Sequence, residues 1–163
     1  MSSQFGRTRL HGSAVAFQTG PEASEGEWAA ILILGRSGAG KSELALELVG
    51  LGASLIADDQ TELTREGNRI WLSAPDALRG MIELRGLGLL RMEALERAPL
   101  AVVVDLDQEE TERLPYRHHT DLLGMSCPLL RHGPGRVFAI GLKHYVLARQ
   151  WRDEEPRDVP ARP

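Results

Sequence analysis

Cysteine is nearly absent: Cys127 stands alone in 163 residues. An internal disulfide framework is therefore impossible, and the chain suits a reducing cytoplasm. Beside Pro128, that thiol reads as a small apolar residue rather than a reactive one. Long apolar runs are missing too. None approaches the roughly 20 residues that a membrane-spanning helix requires, and residues 1–7 lack the apolar centre of a secretory signal. Positive charge is not in excess, with 19 Lys and Arg against 23 Asp and Glu and a formal net charge of −4. This argues against a nucleic-acid partner. No internal repeat is visible. His118 and His119 have no cysteine cluster beside them, and neighbouring side chains on an extended segment point apart, so no metal site is expected there.

What is present is ordinary for a globular chain, with 42% hydrophobic and 26% charged residues. The length suits one domain with its own core, expected over residues 1–151. Residues 152–163, charged and proline-bearing, read as a disordered tail.

The most informative stretch is Gly35, Arg36, Ser37, Gly38, Ala39, Gly40, Lys41 and Ser42, which fits the phosphate-binding pattern G-x-x-x-x-G-K-[ST]. Its glycines allow a tight turn that aims consecutive N–H groups at phosphate oxygens, and a following helix adds its positive end. Lys41 would reach the β- and γ-phosphates and the Ser42 hydroxyl would ligate Mg²⁺. The flanks agree. Residues 29–34 are apolar at every position, as in a strand buried on both faces of a parallel sheet. Residues 43–49 are rich in helix formers and are closed by Gly50 and Gly52. The alternative, a glycine-rich strand-to-helix turn that binds nothing, explains this context less well.

Elsewhere, residues 10–17 read as a strand that joins 29–34 in a hairpin across a polar loop at 20–27. Residues 53–57 form a second buried strand ending in Asp58 and Asp59, where open α/β sheets bind ligands. Residues 60–72 make a hairpin turned by Glu66, Gly67 and Asn68. A proline-started turn or short helix follows at 74–80. Glu83 and Arg85 then share one side of an extended segment. Residues 99–107 are a third buried strand ending in acids. Residues 108–113 are charged and solvated, 127–136 read as an irregular loop, and 137–148 as an amphipathic helix. The fold class expected is α/β, a P-loop kinase core with a mixed, largely parallel central sheet flanked by helices.

With these pieces in order, the chain resembles the catalytic domain of HPr kinase/phosphorylase, a family that attaches phosphate to a serine of the phosphocarrier HPr and can remove it. Leu10-His11-Gly12 is similar to the family's upstream H-G element, and residues 35–43 to its phosphate loop. Residues 55–59 resemble its strand with two aspartates, and residues 82–88 its E-x-R-G-L-G signature. Similarity weakens at Arg113 and over residues 131–136. Ten residues precede His11, where the family has a separate domain, so a short catalytic-core form is expected. Arg36 stands where the family has aspartate. The segment from Leu130 to Arg136 carries an extra residue and no final asparagine, leaving the dephosphorylating direction open.

The resemblance implies roles. Asp58 would accept the proton of the attacking serine, assisted by His11, and Asp59 would then lie on the metal side or cap local backbone. Lys41 would hold phosphates, Ser42 and Glu83 would surround Mg²⁺, and Arg113 would stabilise charge on the phosphoryl group. ATP and Mg²⁺ are the implied cofactors, with pyrophosphate as an alternative phosphoryl donor or product. The implied partner is a small phosphocarrier protein, HPr or a nitrogen-related paralogue, acted on by a homo-oligomer, a hexamer in the family's pattern. Two other readings stay open at this point: a phosphate-loop kinase for a small metabolite, and a nucleotide-binding regulator without catalysis.

Overall fold

Two long strands organise the molecule, each changing partner midway. The computed structural model describes residues 5–20 and 27–148. In chain order it runs β1 (Phe5–Gln18), β2 (Trp28–Leu34), α1 (Lys41–Gly50), β3 (Ser54–Ala57), β4 (Gln60–Glu66) and β5 (Arg69–Ser73). A 3-10 turn at Asp76–Leu78 precedes β6 (Met81–Leu84), β7 (Gly88–Arg91), β8 (Arg97–Glu109), β9 (His118–Leu122), β10 (Met125–His132) and α2 (Phe138–Leu147). The first half of β1 pairs with β4, and the second half with β2 and β3. The start of β8 pairs with β5, and its middle lies between β2 and β10. These pairings close the ring β2-β1-β4-β5-β8 back onto β2. Gly12 marks the changeover in β1. A β-carbon there would meet the Ile33 carbonyl oxygen at 2.8 Å, so only glycine permits the approach.

The expected mixed sheet is present, but "largely parallel" needs correcting. Only β2–β8 and β8–β10 run parallel; β1–β2, β1–β3, β1–β4, β4–β5, β5–β8 and β9–β10 are antiparallel. An all-apolar strand reports burial on both faces, and that burial has a different cause here. Odd-numbered residues Val15, Ile31 and Ile33 pack under the helices with Leu44, Leu48, Leu142 and Val146. Even-numbered Ala14, Ala16, Ala30 and Leu32 pack inside the ring against Leu63, Ile70 and Leu72. The period-two alternation thus fills two cores from the same strands. Both described helices cover one face, tied together by Lys143 Nζ donating to the Leu51 carbonyl at 2.8 Å; strands β4 and β5, not helices, close the other.

A second correction concerns residues 127–136. Residues 125–132 form β10, and only 133–136 stay irregular. Pro128 and the nearby glycines argue locally for a loop, but Leu129 and Leu130 align with Val103 and Val104 of β8. That distant edge outweighs the proline cue. The hairpins at 10–34 and 60–73 and the helices at 41–50 and 138–147 form as expected. Cys127 is buried, as a small apolar residue should be. Among the described residues, no helix is long and apolar enough to cross a membrane. The expected tail at 152–163 and most of the polar loop at 20–27 lie outside the described residues.

Candidate active site

The residues 35–42 segment turns from β2 into α1, and its local geometry follows from its glycines. Gly40, at the N-cap of α1, has φ 102° with open space around its α-carbon. A side chain there would be strained whatever the room. The loop is pinned from β8: both Asp107 carboxylate oxygens accept from the Arg36 amide, at 3.1 and 3.0 Å. Asp107 is in turn set by Asp105, whose Oδ1 accepts from the Asp107 amide at 2.9 Å. The acids ending the third buried strand therefore anchor the loop.

Lys41, the first residue of α1, is buried, and its ammonium donates to the carbonyls of Gly35 at 2.7 Å and Arg36 at 3.0 Å. An ammonium has three donors, and a third remains for the cleft that Lys41 lines.

That cleft, of about 270 Å³, lies between the loop, the end of β3 and the β6–β7 hairpin. Strand β3 ends at Ala57, and the next two residues part company. Asp58 is 4% exposed. Its Oδ1 accepts from Ser13 Oγ at 2.6 Å and Ser42 Oγ at 2.7 Å, and its Oδ2 accepts from the Glu83 amide at 3.2 Å. Three donors offset the cost of burying the carboxylate. Asp59 takes φ 66°, and its side chain is 65% exposed, with Oδ1 at 3.2 Å from His11 Nδ1. The strand thus delivers two adjacent carboxylates into one cleft in opposite environments. His11 meets Asp59 rather than Asp58.

Glu83 lines the cleft because Ile82 and Leu84 on either side of it point into the core. Arg85 joins it from the turn that follows. Of the residues singled out in the sequence, His11, Ser37, Gly38, Gly40, Lys41, Ser42, Asp58, Asp59 and Glu83 come together here. Gly35, Arg36 and Ala39 complete the loop behind them. Arg113 does not join them: it sits on the exposed connection between β8 and β9. The 131–136 segment also lies away from the cleft. Arg131 lies at the end of β10, one residue before His132, near Glu110. Burial raises the Glu110 carboxyl, but the Glu112 amide, His118 and Arg131 together hold it below its ordinary value. Sequence reading missed Ser13, a serine in an apolar strand, and assigned no individual role to Arg85.

Within this constellation, Asp58, Asp59, Glu83 and Glu43 set four carboxylates against the fixed cations Lys41 and Arg85. A polyphosphate entering such a cleft requires a divalent cation to offset like charge. The donor set suits Mg²⁺: hard oxygens only, from Ser42, Asp58 and Glu83. Among the described residues, no group of three or more His, Cys, Asp or Glu is arranged to hold a metal unaided. Mg²⁺ bound with phosphates needs only one or two protein carboxylates.

A family model described as the HPr Serine kinase C-terminal domain matches residues 27–128. This chain belongs to that family. The HPr kinase C-terminal domain family includes relatives named HPr kinase/phosphorylase. The one from Bordetella avium is 38% identical over 125 residues, covering 68% of this chain and 41% of that protein. The one from Alkaliphilus metalliredigens is 35% identical over 140 residues, covering 77% of this chain and 45% of that protein. The chain therefore spans less than half the length of these relatives. The solved Hpr(Ser) kinase/phosphatase from Coxiella burnetii shares the fold, with a TM-score of 0.68 at 21% identity over 90% of this chain and 92% of that one.

Proposed function

We propose that this chain is an ATP- and Mg²⁺-dependent protein-serine phosphotransferase. It acts in the cytoplasm on a small phosphocarrier, HPr or a nitrogen-related paralogue. The observation that carries the reading is the cleft itself: a lysine and serine at a helix start line it together with a carboxylate–histidine pair. Residues 35–42 are the proposed P-loop. Lys41 and the loop amides would bind the β- and γ-phosphates. Ser42, Asp58 and Glu83 would hold Mg²⁺, which when bound neutralises charge on the phosphate oxygens.

In the proposed transfer, the acceptor seryl oxygen forms a bond to the γ-phosphorus while the bond from that phosphorus to the leaving ADP oxygen breaks. The serine proton passes to a carboxylate. The resemblance assigns that task to Asp58, but Asp58 already accepts from three donors, including the proposed Mg²⁺ ligand Ser42. Asp59 is open to solvent and has His11 to stabilise it. We therefore infer that Asp59 accepts the proton, with Asp58 on the metal side. Charge on the transferred group falls to Arg85, which lines the cleft; Arg113 is the second candidate, from the resemblance.

A protein acceptor is favoured over a small metabolite. Leu87 and Leu89, on the hairpin beside Glu83 and Arg85, are 72% and 61% exposed, a surface that suits a docking protein. Pyrophosphate as alternative donor and a homo-oligomeric assembly, a hexamer in the family's pattern, complete the proposal. Incubation with labelled ATP and purified candidate phosphocarriers tests it: label should appear on a carrier serine. Transfer to none of them, with transfer to a small metabolite instead, overturns the protein-kinase reading.

A further inference from the structure

Ser13 is a polar residue in a stretch that has no need of one. It precedes Ala14, Val15, Ala16 and Phe17 on β1, all buried, and is itself fully buried. Its hydroxyl donates to Asp58 Oδ1 at 2.6 Å. The same oxygen accepts from Ser42 Oγ. Asp58 is thus the middle of a three-residue relay from the rigid strand β1, which is held on both sides by β2 and β3, to the first turn of α1. A carboxylate on a flexible bond is fixed in direction only if its oxygens are claimed. Here the hydroxyl of Ser13 claims Oδ1 from the scaffold side, and the Glu83 amide claims Oδ2. The orientation that results leaves Ser42 with its proton committed to Asp58 and its oxygen lone pairs free to turn to the cleft.

We propose that Ser13 is a positioning residue of this site: by holding the Asp58 carboxylate it presets the Ser42 oxygen for a divalent cation. The inference rests on the proposed nucleotide-binding function. Partners of this kind behind a metal ligand commonly tune metal affinity by about 10–100-fold. The prediction is accordingly about metal affinity, not nucleotide contact, since Ser13 is fully buried and its hydroxyl is bonded to Asp58.

The test compares Ser13→Ala, Ser13→Thr and Ser13→Val in the full chain. Ser13→Thr and Ser13→Val are nearly isosteric, so packing strain from the added methyl is common to both and only the hydroxyl differs. Mn²⁺ affinity is read by electron paramagnetic resonance in the presence of ADP, alongside metal-free ADP affinity by calorimetry. Expected is a loss of Mn²⁺ affinity of about tenfold in Ser13→Ala, and in Ser13→Val relative to Ser13→Thr. Metal-free ADP affinity should stay within about twofold across the set, and Ser13→Thr should retain wild-type Mn²⁺ binding. Equal Mn²⁺ affinity in Ser13→Thr and Ser13→Val, with wild-type binding intact, overturns the role of Ser13 alone. A wild-type protein that binds neither ADP nor Mn²⁺–ADP overturns the nucleotide reading, and this inference with it.

Discussion

The Ser42 hydroxyl donates to Asp58 Oδ1 at 2.7 Å, joining the end of the 35–42 loop to the end of β3. This contact separates two carboxylates that are adjacent in the chain. Asp58 belongs with the serine that would ligate the cation, and Asp59 with His11. Asp58→Asn should therefore weaken Mg²⁺–nucleotide binding by about 10–100-fold. Asp59→Asn should leave that binding near wild type while phosphate transfer to serine falls by about 10²–10⁴-fold. Affinity by calorimetry and single-turnover transfer rates on both variants decide it. The reverse pattern restores Asp58 as the proton acceptor.

Lys41 ties the loop together and lines the cleft. Lys41→Ala removes charge-assisted hydrogen bonds worth about 1.5–3 kcal/mol each. ATP affinity should fall by about 100-fold or more, with circular dichroism unchanged. Undiminished ATP binding in this variant rejects residues 35–42 as a phosphate loop.

Glu62 on β4 lies between Arg7 and Arg9 of β1. Hydrogen bonds from Arg9 and then Arg7 hold its carboxyl below the ordinary 4.5, outweighing partial burial. A lowered folded value means the stabilisation is complete above the ordinary carboxylate range and is lost as pH falls through the folded value. Glu62→Gln should destabilise the protein by about 1 kcal/mol or less near pH 7, because the arginines are solvent-screened. The gap from wild type should narrow as pH drops below 4.5 and also in high salt. Urea unfolding at pH 7 and pH 3 measures it; a gap that widens in acid contradicts the sign.

Burial raises the Cys127 thiol above its ordinary value, and its Sγ faces the Met125 carbonyl. Alkylation by iodoacetamide at pH 8 should be slower in the folded protein than in urea, on the order of tenfold or more. Equal rates would place this thiol at the surface.

Local patterns in the sequence determined a good deal. The glycine spacing at 35, 38 and 40 and the apolar run before it fix a strand–turn–helix, because backbone freedom and helix propensity act within a few residues. The Gly67 turn and the alternation around it fix the β4–β5 hairpin for the same reason. What tertiary structure alone decided is direction and company. Residues 29–34 announce burial on both faces, yet their composition is the same beside a parallel or an antiparallel neighbour. The long-range closure of β1, β4, β5 and β8 settled the ring. β10 found an edge at β8 that Pro128 concealed. Ser13 and Asp58, forty-five residues apart, meet only because β1 crosses beside β3. No local signal distinguishes a serine aimed at a carboxylate from one that merely fits an alanine-sized gap. Asp58 and Asp59 are chemically identical in the sequence, and their separation came from where β3 stops and the backbone turns to φ 66°.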